Sequence, residues 1–177
     1  FTGLIGTRPA LGLPDAEKVV ESAVNAENPP NETKGKLFDG KDDTKWLAFT
    51  PTGWVTMKLD KPVAVVNYAL TSANDFSGRD PKDWKLQGSQ DGETWKTLDT
   101  RTGETFSSRF QTRQFQFTNS TAYQHYRLEI TANNGEPLTQ LAELRLFSAN
   151  PTPPQNSKVQ QAVVDLTDRQ HPANEGL

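Results

Sequence analysis

The chain has 177 residues, 33% of them hydrophobic, and a formal net charge of -3. That length fits one domain with an appendage, and the mild acidity excludes the basic footprint of a nucleic-acid binder. No apolar run approaches the roughly 18 residues of a spanning helix. With no cysteine there is neither a disulfide framework nor a thiolate metal site, and two histidines, His125 and His171, cannot build a histidine-rich zinc site.

Residues 1–15 show no regular period and read as a lead-in from a longer protein, any export signal having been removed or lying upstream. A strand is expected over 19–26, stopped by Asn28-Pro29-Pro30-Asn31 because two prolines cannot continue a ladder. The run Leu37-Phe38-Asp39-Gly40-Lys41-Asp42-Asp43-Thr44-Lys45-Trp46 organises the rest: an apolar anchor, a tight polar loop, then a return to the core. Asp39, Asp42, Asp43 and Thr44 carry the hard oxygens that calcium takes, although the spacing is not that of an EF-hand. From spacing alone, a capped turn with solvated acids is the simpler reading.

Residues 47–53 read as a loop with Leu47 and Phe49 exposed. Val55, Met57 and Leu59 alternate with Thr56 and Lys58, which predicts a half-buried strand; 63–72 predicts a second, mostly apolar one. A polar loop follows over 74–81. Trp84, Leu86 and Gly88 lead into Gln90-Asp91-Gly92-Glu93, and Asp-Gly between two strands is a strong hairpin signal. Phe115 and Phe117, then Tyr126, Leu128 and Ile130, then Ala142, Leu144 and Leu146 continue the period of two, with a loop over 133–140. Short alternating strands without a convincing helix predict an all-β, antiparallel β-sandwich of jelly-roll type, with function at loop clusters on its ends. A Pro-rich linker is expected over 150–158. Val163-Val164-Asp165 followed by His171-Pro172-Ala173-Asn174-Glu175 echoes Val19-Val20-Glu21 followed by Asn28-Pro29-Pro30-Asn31-Glu32, so 159–177 reads as the truncated start of a second repeat.

Four pieces carry a resemblance. They are Lys36 to Trp46, Gly53-Trp54-Val55, Gly88-Ser89-Gln90-Asp91-Gly92-Glu93-Thr94-Trp95, and Gln140-Leu141-Ala142-Glu143-Leu144. In this order they resemble a discoidin-type (coagulation factor C-type) domain, the superfamily that includes family 32 carbohydrate-binding modules and has a galactose-binding-domain-like sandwich. The resemblance covers about Val19 to Phe147, within a module expected over 16–149. It implies a structural calcium under the first loop, with carboxylates from Asp39 and Glu143, the hydroxyl and carbonyl of Thr44, and carbonyls from Lys36, Lys41 and Ala142.

It also implies a glycan as partner, bound by loops at one end. A sugar offers C–H faces to an aromatic ring and hydroxyls to paired polar groups. Asn74, Asp75, Phe76, Arg79 and Asp80 supply both, with Phe49, Asn133, Asn134 and Gln140 as neighbours. Asp75 and Arg79 are each expected to bind two hydroxyls and Phe76 to give the apolar face; the alternative is that Arg79 and Asp80 form a structural ion pair. Trp46, Trp54, Trp84 and Trp95 are expected to pack rather than bind. No histidine occurs over 47–53, where galactose-binding relatives commonly carry one. The Asn74 to Pro81 loop resembles modules of large secreted bacterial glycosidases, including family 92 α-mannosidases. Asp42 with Asp43, and Asp80 with Asp83, are not carboxyls facing each other across a sugar, as a glycosidase needs. The chain is therefore expected to be a non-catalytic carbohydrate-binding module of a larger secreted, multimodular glycoside hydrolase. The other readings are an adhesion domain binding protein or lipid, and a spacer.

Overall fold

The computed structural model describes residues 13–151, of which Asp15–Asn150 form one unit. Residues 1–12, most of the expected linker and all of the expected second repeat lie outside the described residues. Ten strands follow in order: β1 (Val19–Val24), β2 (Trp46–Ala48), β3 (Gly53–Val63), β4 (Asn67–Thr71), β5 (Pro81–Ser89), β6 (Lys96–Arg101), β7 (Thr112–Gln116), β8 (Tyr123–Asn133), β9 (Thr139–Leu141) and β10 (Glu143–Phe147). Two short 3-10 helices, Lys34–Phe38 and Ser77–Arg79, are the only helical elements among the described residues.

A five-stranded sheet in the order β1-β3-β8-β5-β6 faces a three-stranded sheet in the order β10-β4-β7, and β2 pairs with β9 beside them. Every pairing is antiparallel. The period of two explains the faces. Val55, Met57 and Leu59 of β3 and Tyr126, Leu128 and Ile130 of β8 are buried, while Trp54, Arg127 and Glu129 point away from the core. Across the gap, Trp84 of β5 meets Phe115 of β7 edge-on at 5.1 Å and donates its indole N–H to the Tyr68 hydroxyl of β4 at 2.8 Å. Tyr68 stacks on Phe115 at 5.2 Å and donates its own hydroxyl to Asp99 at 2.7 Å. A buried aromatic cluster with satisfied polar tips thus joins the two sheets.

Two expectations need correction. Residues 47–53 are not all loop: Leu47 lies in β2, pairs with Gln140 and is buried, because 46–48 zips onto β9; Phe49, just beyond, is 66% exposed. The apolar run 63–72 is not one strand either. β3 continues to Val63, the chain turns over 64–66, and β4 starts in the other sheet at Asn67. The hairpin falls where Asp-Gly placed it. The Asp91 carboxylate accepts from the amides of Thr94 and Glu93 and from the Ser89 hydroxyl, which holds its pKa far below the usual carboxylate value, and Gly92 takes φ +78.

Candidate functional site

The pairings bring four connections to one end of the sandwich. Thr71 faces Thr112, Pro81 faces Asn133, Trp84 faces Arg101 and Ala48 faces Thr139, so the segments 48–53, 71–81, 101–112 and 133–139 emerge together.

The 74–80 loop is held from beneath by residues far away in sequence. Lys45, buried at the mouth of β2, donates to Asp75 Oδ1 at 2.7 Å and Gln140 Oε1 at 3.0 Å, with Glu32 at 3.8 Å. Burial pushes the Asp75 carboxyl up, but the Lys45 hydrogen bond and charge outweigh that and leave its pKa below the usual value. Gln140 is wholly buried and donates to the Asp75 carbonyl at 2.7 Å. Arg109, from the 101–112 connection, donates to both oxygens of Asp80 and to the carbonyls of Asp75 at 3.0 Å and Ala73 at 3.3 Å. Asp80 is 1% exposed; burial raises its pKa and Arg109 opposes the shift.

Several candidates therefore frame the site rather than face solvent. Asp80 pairs with Arg109, not with Arg79 as the ion-pair alternative supposed, and it is sealed inside. Asn133 donates to the carbonyls of Glu136 and Leu138 and closes its own loop. Asn134 donates to the Asp80 carbonyl at 3.0 Å, and Gln140 is the wedge under Asp75. Asn74, Phe49 and Phe76 are exposed; Asp75 and Arg79 are half-buried.

Phe76 takes φ 32, a left-handed conformation that a bulky side chain rarely adopts, and its ring is 59% exposed. The Arg79 guanidinium lies over that ring, 4.1 Å from its centre. Two unfavourable features, strain and an exposed ring, are thus held at the loop tip by the clamp below it. Phe110, next to Arg109, is likewise exposed with φ 57. Sequence reasoning passed over Lys45, Arg109 and Phe110. Lys45 sits inside the recognised motif, but nothing local marks a lysine as buried; Arg109 and Phe110 lie in a stretch without period or motif.

The acids of the first loop form a second cluster. Asp39 accepts from the Thr44 hydroxyl at 2.7 Å and the Lys41 amide at 3.0 Å; the same amide reaches Glu143 Oε1 at 3.0 Å. The Lys41 carbonyl faces the Thr44 hydroxyl at 3.4 Å, and Lys36 is 3.9 Å from Asp39. Asp39 and Glu143, 104 positions apart in the chain, are brought together by the Lys41 amide that both accept. Glu143 is 2% exposed, not a solvated strand residue; burial and the Asp39 carboxyl raise its pKa to about 7, against the pull of Arg145. Ala142 is buried beside it and donates its amide to the Thr71 carbonyl. Among the described residues no third acid or histidine joins the pair, so a cation here would need the hydroxyl and carbonyl oxygens too. That donor set, two carboxylates plus neutral oxygens, fits calcium.

The fold is an antiparallel β-sandwich with its connecting loops gathered at one end. The chain belongs to the F5/8 type C domain family, whose model matches residues 20–144; domains of this kind are typically non-catalytic. It is 31% identical over 137 residues to a peptide-N(4)-(N-acetyl-β-glucosaminyl)asparagine amidase of Arabidopsis thaliana, a match covering 71% of this chain but only 19% of that relative's length. The fold is that of family 32 carbohydrate-binding modules. A Clostridium perfringens module in complex with GalNAc-β-1,3-galactose is 17% identical with a TM-score of 0.62, covering 72% of this chain and 94% of its own. The family 32 module of Streptococcus pneumoniae EndoD is 19% identical with a TM-score of 0.60, covering 75% and 95%.

Proposed function

We propose that this chain is a carbohydrate-binding module that targets a larger, secreted glycoside hydrolase to glycans. The observation that carries this reading is the surface at the loop end, where an exposed, strained Phe76 bears Arg79 beside Asp75. A ring edge, a guanidinium and a carboxylate are the groups that sugar C–H faces and hydroxyls select. The sugar-bound Clostridium perfringens neighbour supports the same use of the fold. Calcium held by Asp39, Glu143, Thr44 and the carbonyls of Lys36, Lys41 and Ala142 belongs to the proposal. When bound, it would neutralise the carboxyl pair, of which Glu143 is buried, and tie the first loop to β10.

A second reading has its own support. Phe49, Phe76 and Phe110 are all exposed on connections of this one end, and apolar loop tips also suit adhesion to a lipid surface or a protein. A glycan array on the chain with calcium, repeated with Arg79→Ala and Phe76→Ala and paired with liposome flotation, separates the two. Binding to defined glycans that both substitutions abolish is the expected result. Liposome binding that resists free sugar, lost with Phe49→Ser and Phe110→Ser, would replace the glycan reading with adhesion.

A further inference from the structure

We propose that the glycan taken at this end is an acidic one, whose sugar carboxylate is received by Arg79. This deepens the carbohydrate reading above and rests on it.

The inference comes from the cations of the loop end. Lys45 is fully engaged by Asp75, Gln140 and Glu32. Arg109 is spent on Asp80 and two carbonyls. Arg113 holds Glu104 at 2.7 Å and the Thr105 carbonyl at 2.8 Å. Arg79 differs. Its one ion-pair partner among the described residues is Asp75 Oδ1 at 3.9 Å, too long for a hydrogen bond, and that oxygen already takes a proton from Lys45. Its Nε is buried with no acceptor, and the side chain as a whole is only 17% exposed. A largely desolvated guanidinium with unfilled donors is unfavourable in the free protein. It is also fixed in place, because one face is laid on Phe76. A stacked guanidinium directs its N–H groups in the ring plane, and a planar carboxylate matches a pair of them with two parallel, charge-assisted bonds. The hydroxyls of a neutral sugar would fill some donors and leave the charge with only the Asp75 oxygen it shares with Lys45.

Two acids oppose this assignment: Asp75, which Lys45 already compensates, and Glu136. The Glu136 side chain lies against Gly78, within 2.6 Å of where a Cβ there would stand, and no cation pairs with it among the described residues. It adds a second arm to the test, since removing its charge should help an acidic ligand and leave a neutral one alone.

The experiment is calorimetric titration of the whole chain with matched oligosaccharides: oligogalacturonate against oligogalactose, oligomannuronate against oligomannose, oligoglucuronate against oligoglucose, and a sulfated oligogalactose. We expect one uronate to bind on the order of tenfold tighter than its neutral parent. The preference should shrink between roughly 0.05 and 0.3 M salt. Arg79→Gln should abolish it, Arg79→Lys should retain part of it, and Glu136→Gln should widen it, with each variant's melting temperature confirming the fold. Equal binding of acidic and neutral partners, or an Arg79→Gln loss common to both, would overturn the acidic assignment and leave the carbohydrate reading standing. Preference for the sulfated sugar over every uronate would overturn the carboxylate. Folded protein that binds none of these and no glycan on a broad array would overturn both readings.

Discussion

Arg109 and Asp80 show how much of the candidate site is framed by side chains spent on one another. Asp80 is sealed under the loop with Arg109 as its only counter-charge among the described residues. Removing one partner of such a pair strands the other charge in a poorly solvated place. Arg109→Ala is expected to cost about 3–5 kcal/mol in urea denaturation, and Asp80→Asn combined with Arg109→Met should cost less than Arg109→Ala alone. Phe76 argues the opposite way. Its left-handed backbone is strained for any residue with a side chain, and glycine relieves that strain. Phe76→Gly should leave stability unchanged or raise it by about 1 kcal/mol, net of the lost stack with Arg79, while glycan affinity falls. A simultaneous loss of stability and binding would show instead that the ring is a structural plug.

At the scale of elements, β5 shows why a residue type can be required by a partner strand. An added Cβ at Gly88 would stand 2.5–2.9 Å from the Tyr123 ring of β8, and that ring is itself packed edge-on against Tyr126. Gly88→Ala is therefore expected to destabilise by about 1–3 kcal/mol through overpacking, whereas Gly35→Ala, which meets nothing within 4 Å and has an ordinary φ, should be close to neutral by the same measurement. The strands themselves were readable because one face of each is buried and the other is not, so Val55-Met57-Leu59 and Tyr126-Leu128-Ile130 reveal their period. β4 was harder to delimit. Every residue in it is buried, so its ends carry no alternation, and the break at 64–66 is set by which sheet each half joins.

For the whole molecule, the Lys41 amide bonded to Glu143 links the first loop to the last strand, and the raised pKa of Glu143 is expected to make stability depend on pH. In chelator, Glu143 keeps its proton to about pH 7, whereas a glutamate in the unfolded chain releases it near 4.5. The folded state then holds more protons between those values, so stability should fall as pH rises from 4.5 to 7 and stay low above. Calcium needs both carboxylates ionised. Adding it should therefore raise the melting temperature more at pH 7.5 than at pH 5 and remove the decline. Identical melting curves with and without calcium at pH 7.5 would discard the metal site.

The sequence by itself determined the class. Alternation, turn chemistry and four short motifs in order were enough for the antiparallel sandwich, because strand faces and Asp-Gly turns are local consequences of residue type. It also singled out Asn74 to Asp80 as the candidate loop, since that stretch concentrates polar groups around one aromatic. Which of those side chains face outward was decided only by the tertiary structure. Lys45, Arg109 and Gln140 come from three other segments, and their hydrogen bonds turn Asp80 inward, hold Asp75 from below and leave Arg79 stacked on Phe76 with open donors. The pairing of Asp39 with Glu143 is of the same kind. Burial, charge compensation and strain belong to contacts between distant residues, and no local pattern encodes them.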